Sequence, residues 1–147
     1  MTADLGQIQV TSPPHLFNLP AAQTPFDQQL GFARLAGYTL SATHARPGDT
    51  LTVELVWQAL ADTPDADRVF VHLRGPNGLP ITQSDSAPAN WQRPTSGWVP
   101  GEYIVDAHSL SVPANAPSQT YDLVVGLYNP ATGARVGEVS LGPVTIP

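Results

Sequence analysis

The chain has 147 residues, of which 41% are hydrophobic and only 12% charged, and its six basic residues leave a net charge of −6. A chain of this length can bury a core without disulfides, and so few basic residues argue against nucleic acid or an anionic membrane as a partner. Cysteine is absent, which excludes a disulfide framework, a thiolate metal site and a cysteine nucleophile.

Proline is unusually frequent, with 16 residues. A proline costs a helix interior about 3 kcal/mol. Prolines at this frequency therefore leave little room for long helices, and they favour short strands. No apolar run approaches the length of a membrane span, and no basic segment followed by an apolar run opens the chain, so the sequence predicts no transmembrane or signal segment.

The first quarter of the chain predicts two strands separated by a connector. Residues 6–10 alternate between polar and apolar and indicate a first strand. Residues 12–25 are too rich in proline for regular structure, and we expect the apolar side chains of this connector to plug an edge of the sandwich; they are Leu16, Phe17 and Leu19. Residues 30–40 form the predicted second strand, with positions 30, 32, 38 and 40 on one face.

Two Pro-Gly pairs give the clearest local signal. Each pair precedes an alternating strand, and we expect Gly48 and Gly101 to supply the positive φ that a type II turn requires. The first turn leads into the third strand, Thr50–Ala59, where every second residue up to Trp57 is apolar. The second turn leads into the sixth strand, residues 102–112.

The remaining strands are likewise predicted from alternating apolar residues and turn signals. Arg68–Arg74 is the fourth strand, and an Asn-Gly hairpin turn joins it to a fifth strand at 79–85. The segment 86–100, called here the long loop, holds two of the three tryptophans. Residues 120–128 give the seventh strand, and 134–141 and 143–146 give a final strand that Gly142 interrupts.

Eight or nine short antiparallel strands predict an all-β, two-layer β-sandwich, either immunoglobulin-like or jelly-roll-like. We expect one domain over residues 1–147, in which 1–29 hold the first strand and the connector and 30–147 form the sandwich body. We also expect the chain to be a piece of a longer protein, with a complete small protein as the alternative.

An ordered series of eight short motifs runs through residues 30–147. They are Leu-Ala-Gly-Tyr at 35–38, Arg-Pro-Gly-Asp at 46–49, Leu-Val-Trp-Gln at 55–58, Val-Phe-Val-His-Leu at 69–73, Gln-Ser-Asp-Ser-Ala-Pro at 83–88, Pro-Thr-Ser-Gly-Trp-Val-Pro-Gly-Glu at 94–102, Tyr-Asp-Leu-Val-Val-Gly-Leu-Tyr at 121–128 and Thr-Gly-Ala-Arg at 132–135. The series resembles the soluble β-sandwich module of large bacterial membrane proteins similar to glycosyltransferases of the dolichyl-phosphate-mannose protein mannosyltransferase type.

That resemblance implies a non-catalytic, extracytoplasmic accessory domain. It transfers no catalytic residue, metal ligand or cofactor to this chain. The partners that it implies are a glycan or the membrane-embedded part of the parent protein, with no direct insertion of this domain into the membrane. The alternative is a purely structural or protein-interaction module with no small-molecule ligand.

The tryptophans carry the candidate binding chemistry. An exposed indole can stack on a sugar ring, and Trp91 lies beside the polar residues Asn90, Gln92 and Arg93. We interpret these four residues as the candidate ligand-binding set, with Trp91 as a plug for the core as the alternative. Trp57, on the apolar face of the third strand, is predicted to lie in the core. Trp98 is predicted to cap an open end of the sandwich.

A catalytic interpretation rests on five other residues. His72, His108, Asp85 and Asp106 lie in predicted strands and would form a divalent-metal site if they converged. A glycosidase would instead need Glu54 and Asp106 to meet in one cleft. We prefer a structural role for the two aspartates, whose carboxylates can accept hydrogen bonds from the long loop. The sequence therefore predicts no enzyme.

An acidic segment at 62–67 contains three aspartates and could hold Ca²⁺ through oxygen ligands. It lacks the length and the glycine placement of an EF-hand loop. We interpret the segment as a solvated turn.

Overall fold

The computed structural model describes residues 15–147, which form eight strands and one short 3₁₀ turn at Thr95–Gly97. The strands are β1 (Thr24–Leu30), β2 (Ala33–Leu40), β3 (Thr50–Ala59), β4 (Arg68–Arg74), β5 (Pro80–Ser86), β6 (Tyr103–Ser111), β7 (Gln119–Tyr128) and β8 (Arg135–Ile146). The predicted strand at 6–10 lies outside the described residues.

The strands make two four-stranded antiparallel sheets. The first sheet has the order β1-β2-β3-β6, and the second has the order β5-β4-β7-β8. The chain crosses between the sheets after β3, after β5 and after β6. The pairing of β3 with β6 and of β4 with β7 is the arrangement of immunoglobulin-type sandwiches. The predicted all-β, two-layer antiparallel sandwich is confirmed.

Alternation along the strands builds the core between the sheets. Because successive strand side chains point to opposite faces, every second residue of the central strands faces inward. The inward residues of three central strands are fully buried and apolar; they are Val53, Leu55 and Trp57 on β3, Val69, Val71 and Leu73 on β4, and Leu123, Val125 and Leu127 on β7. Burying each large side chain stabilises the fold by about 1.5–3 kcal/mol.

Both predicted Pro-Gly turns are confirmed. Gly48 and Gly101 each have a φ of 90°. The amide of Asp49 donates to the carbonyl of Arg46 at 3.0 Å, and the amide of Glu102 donates to the carbonyl of Val99 at 3.0 Å. Each turn therefore closes in the type II geometry and sets the start of the strand that follows it.

The N-terminal part of the sandwich differs from the prediction. The predicted strand at 30–40 is the end of β1 followed by β2, with a turn at Gly31, whose φ is 60°. The connector ends before Thr24, because β1 is an edge strand and tolerates Pro25 beside an irregularity in its register.

The connector lies along an edge of the sandwich, as predicted, but its apolar side chains do not form a buried plug. Its segment runs beside the edge strand β6, where the amide of Tyr103 donates to the carbonyl of Leu16 at 2.7 Å. Leu16, Phe17 and Leu19 are 46%, 56% and 60% exposed. The predicted break in the last strand is a bulge within one continuous β8, at Leu141 and Gly142.

Gly126 on β7 is a position where the packing requires glycine. A Cβ there would overlap the carbonyl oxygen of Gly137 and the ring of Phe70. We expect Gly126→Ala to lower the free energy of unfolding by about 1–3 kcal/mol. Gly97→Ala is the matched control, because a Cβ at Gly97 meets open space. Chemical denaturation of both variants tests this, and equal stability of the two would contradict the packing argument.

Candidate functional site

The long loop contains a strained segment that displays Trp91. Three consecutive residues other than glycine have a left-handed backbone, with φ values of 55° at Ala89, 54° at Asn90 and 72° at Trp91. Each such residue costs on the order of 1 kcal/mol or more, and the conformation persists only where the surroundings hold it. Strain of this kind concentrates at functional sites, so the segment marks a candidate site.

Backbone hydrogen bonds close the segment into a compact turn. The amide of Trp91 donates to the carbonyl of Ala87 at 3.0 Å, and the amide of Arg93 donates to the carbonyl of Pro88 at 3.0 Å. The amide of Ala89 points the other way and donates to Asp106 Oδ1 at 2.8 Å. The turn is therefore tied to strand β6 at the position where its strain begins.

Asp106 is completely buried and accepts hydrogen bonds from three parts of the fold. Its Oδ2 accepts from Trp57 Nε1 at 3.1 Å and from His108 Nε2 at 2.8 Å. His108 is itself buried, and its Nδ1 lies 3.0 Å from the hydroxyl of Ser84 on β5. Asp106 thus connects the core tryptophan, both edge strands β5 and β6, and the long loop.

Glu102 holds the other end of the same segment. Its carboxylate is buried and accepts from Arg93 Nη2 at 2.7 Å and from the amide of Val99 at 2.7 Å, with His15 Nδ1 also at 2.7 Å. Trp98 Nε1 donates to the carbonyl of Arg93 at 2.9 Å. Arg93, a member of the predicted ligand-binding set, is therefore engaged in fixing the loop.

The other three members of that set project from the turn. The side chain of Trp91 is 55% exposed, and the guanidinium of Arg68 lies 5.0 Å from the centre of its ring. Asn90 and Gln92 are exposed, and within residues 15–147 their side-chain amides make no hydrogen bond. A cation against an indole face stabilises the ring by about 0.5–1 kcal/mol at an exposed site. The turn therefore presents one ordered aromatic ring flanked by two uncommitted amides.

A shallow depression of about 230 Å³ adjoins the turn. Its lining comprises Leu16, Ala89, Gln92, Arg93, Tyr103, Ile104 and Val105. The surface beside the candidate site is therefore concave rather than flat.

The two remaining tryptophans lie in the core. Trp57 is fully buried, and Trp98 is 2% exposed and packs edge-on against Phe32 with ring centres 5.8 Å apart. Neither ring can meet a ligand, which leaves Trp91 as the exposed tryptophan of this chain.

The four residues of the alternative metal site lie in two separate places. His108 and Asp106 face the space between the sheets, whereas His72 and Asp85 lie on the outer face of the second sheet, with His72 Nε2 3.9 Å from Asp85 Oδ1. Burial and the charge of Arg74 lower the pKa of His72. Across the part of the chain that the structure describes, no three histidine or acidic side chains gather in a metal-binding group.

Glu54 and Asp106, the pair that a glycosidase would need, do not meet. Asp106 lies opposite Leu55 in the β3–β6 register and shares its inward face, so Glu54 points outward. Asp85 does not hold the long loop either. Its register partner Phe70 lies on the outer face, and Asp85 accepts a hydrogen bond from the hydroxyl of Tyr128 at 3.1 Å.

The acidic segment at 62–67 is mostly solvated. Asp62 and Asp65 are exposed, but Asp67 is 2% exposed, and burial followed by the charge of Asp65 raises its pKa. The amide of Asp67 donates to Thr95 Oγ1 at 2.8 Å, and that hydroxyl donates to the carbonyl of Asp65 at 2.6 Å. These bonds fasten the segment to the end of the long loop.

Comparisons with known proteins define the class of fold. No protein-family model matches the chain, and no curated protein matches it either. A crystal structure of the C-terminal domain of Wzt is similar at 17% identity with a TM-score of 0.55, covering 82% of this chain and 71% of that one. A Niemann-Pick type C2 protein from the Japanese carpenter ant is similar at 9% identity with a TM-score of 0.57, covering 84% of this chain and 99% of that one.

At these identities the similarity shows a shared β-sandwich fold and nothing more specific. Residues 15–147 include no helix with the length and apolar character needed to cross a bilayer.

Replacing the buried carboxylate of Asp106 should destabilise the whole domain. We expect Asp106→Ala to lower the free energy of unfolding by about 3 kcal/mol, because it leaves the donors on Trp57, His108 and Ala89 without their acceptor. Asp27→Ala is the control: its carboxylate is 81% exposed, and its contact with Arg34 should contribute less than about 1 kcal/mol. Urea denaturation measures both, and similar losses would refute a special role for Asp106.

Glu102 should make stability depend on pH in the acid range. Burial alone would raise the pKa of Glu102, but the bonds from Arg93, His15 and Val99 outweigh it and hold the pKa below its ordinary value of 4.5. The stabilisation is therefore complete above pH 4.5 and is lost as the pH falls through the lower pKa of the folded state.

We expect Glu102→Gln to be less stable at pH 7 by about 2 kcal/mol and to lose less stability than the parent protein below pH 4.5. The difference between the two stability–pH curves isolates Glu102 from Glu138, whose pKa is also lowered, by its hydrogen bond to Arg74. Parallel curves would show that Glu102 does not titrate with folding.

Proposed function

We propose that this chain is a non-catalytic carbohydrate-binding domain. Its ligand stacks on Trp91, and the side-chain amides of Asn90 and Gln92 orient the sugar hydroxyls. The observation that carries the proposal is the exposed Trp91 ring on three consecutive left-handed residues. A loop that served only to close the sandwich would have no need to hold a strained backbone with its largest side chain in solvent.

The chemistry of the turn suits a sugar. A pyranose ring has an apolar face that fits a planar indole, and it carries hydroxyls around its rim that need donors and acceptors. An amide side chain supplies both from one group. Because Arg68 lies against the Trp91 ring and the turn is closed by hydrogen bonds, little ordering remains to be done when a ligand binds.

The parent protein is part of the same proposal. The ordered motifs resemble accessory domains of membrane glycosyltransferase-like proteins, in which an extracytoplasmic sandwich beside a glycan-handling enzyme would have glycans within reach. The C-terminal domain of Wzt offers a parallel for this fold as one part of a larger protein.

A protein-interaction module is the second candidate. Its support is the exposed apolar strip beside β6, formed by Leu16, Phe17 and Leu19. An exposed apolar cluster of this kind is typical of a contact with another domain. The strip and the Trp91 turn adjoin the same depression, so a partner domain and a glycan would compete for this side of the molecule.

A glycan array with the purified domain, followed by calorimetry on the glycans that bind, tests the proposal. We expect Trp91→Ala to weaken binding by at least about 30-fold, as for a central aromatic anchor worth about 2 kcal/mol. Its melting temperature should change by no more than about 2 °C, because the ring is largely exposed.

Leu79→Ala is the matched control, since Leu79 is 65% exposed on the hairpin between β4 and β5 and should leave binding unchanged. A folded domain that binds no glycan would refute the proposal and favour the interaction module. A large loss of stability in Trp91→Ala would instead identify the ring as a structural plug.

A further inference from the structure

We infer that the glycan site continues from Trp91 across Arg68 and Tyr128 into a pocket on the outer face of the second sheet, and that its ligand is a neutral oligosaccharide rather than a single sugar. This inference rests on the proposed function and deepens it. The pocket, called here the outer pocket, is lined by Phe70, His72, Gln83, Asp85, Tyr128, Gly133 and Arg135 and has a volume of about 290 Å³.

Strand register makes the two parts continuous. Arg68, whose guanidinium lies 5.0 Å from the centre of the Trp91 ring, is the direct partner of Tyr128 in the β4–β7 ladder. Directly opposed residues share one face, with Cβ atoms about 5 Å apart. The Tyr128 hydroxyl in turn donates to Asp85, and the Tyr128 ring lies 6.2 Å from the ring of Phe70. A line of neighbouring side chains therefore leads from the indole to the pocket.

The outer pocket is a formed site with a rigid floor. Phe70 is only 2% exposed although it points away from the core between the sheets, because Gly126 leaves room beneath its ring and the guanidinium of Arg135 lies 4.9 Å from its centre. The His72 ring is 4.7 Å from it. A buried aromatic ring on the outer side of a sheet fixes the polar side chains that surround it.

Within the outer pocket and its immediate neighbours, the charges of Arg74 and Arg135 are balanced by those of Glu138 and Asp85, which favours a neutral ligand there. Glu138 pairs with Arg74 at 2.9 Å and also with Arg135, so neither guanidinium is free to attract an anion. Asp85 offers a carboxylate that would repel an acidic group, and the lowered pKa of His72 favours its uncharged form at neutral pH.

The polar groups that face the pocket suit vicinal hydroxyls. Asp85 has a carboxylate with acceptor capacity beyond its bond from Tyr128, and Gln83, on the same face of β5, makes no side-chain hydrogen bond within the described chain. A carboxylate beside an amide can bind two neighbouring sugar hydroxyls at once. Arg68 lies between the Trp91 ring and Tyr128, which lines the outer pocket, so we expect different units of one oligosaccharide to occupy the two parts of the site.

The test is calorimetry with neutral cello-, manno- and chito-oligosaccharides of one to six units. For a series that binds, we expect affinity to rise at least 10-fold between two and five units. Trp91→Ala should weaken binding at every length. Asp85→Ala should weaken the five-unit ligand about 10-fold and leave the two-unit ligand nearly unchanged. Asp27→Ala, an exposed carboxylate of the first sheet, is the matched control and should change nothing.

Gln83→Ala provides a second variant in case Asp85→Ala disturbs the fold, because the Gln83 side chain is exposed. Affinity that does not rise with length, or long-ligand binding that both pocket variants leave intact while Trp91→Ala abolishes it, would overturn the extended site and leave the proposed function standing. Binding of none of these probes, in a domain that binds other glycans on the array, would also overturn it. A domain that binds no glycan at all would refute both.

Discussion

The buried carboxylate of Asp106 is the interaction on which the rest of the structure depends. A charge removed from water costs several kcal/mol unless it is compensated, and here three donors reach the two oxygens of one side chain. Those donors come from a core tryptophan, a buried histidine and the backbone of the long loop. The core and the loop are therefore fixed by the same carboxylate. A rearrangement of either would leave Asp106 without some of its hydrogen-bond donors.

The strained turn is held by buried carboxylates at both ends. Asp106 binds the amide of Ala89 where the left-handed segment begins, and Glu102 binds Arg93 just after it ends. These hydrogen bonds hold the backbone between them in its left-handed geometry and offset the cost of that conformation. The Trp91 ring and the side-chain amides of Asn90 and Gln92 take no part in these hydrogen bonds. The part of the loop that can meet a ligand is thus separate from the part that stabilises the fold.

Much of the fold could be predicted from the sequence because its signals are local. β3 and β4 have the predicted bounds, since apolar residues alternate along both strands and a Pro-Gly turn precedes β3. The sequence signal for β1 is weak, because an edge strand buries little and its Gln28 and Gln29 hide the alternation. An exposed Trp91 beside polar residues could be predicted from the sequence, and so could the hydrogen bond by which Asp106 holds the long loop, but the role of Glu102 could not. Glu102 meets His15 from 87 positions away, and no sequence signal marks three left-handed residues that are not glycine.

The outer face of the second sheet departs from what a simple spacer domain requires. A solvent-facing sheet surface is adequately covered by scattered polar side chains, whereas this one buries Phe70 over Gly126 and surrounds it with paired charges. Such packing limits which residues a strand can carry, because a Cβ at Gly126 would displace the ring. A surface that is both solvent-facing and conformationally fixed loses little entropy when a ligand binds. The same face carries Arg68, the contact of Trp91, so the ordered surface begins at the aromatic ring and extends along β4.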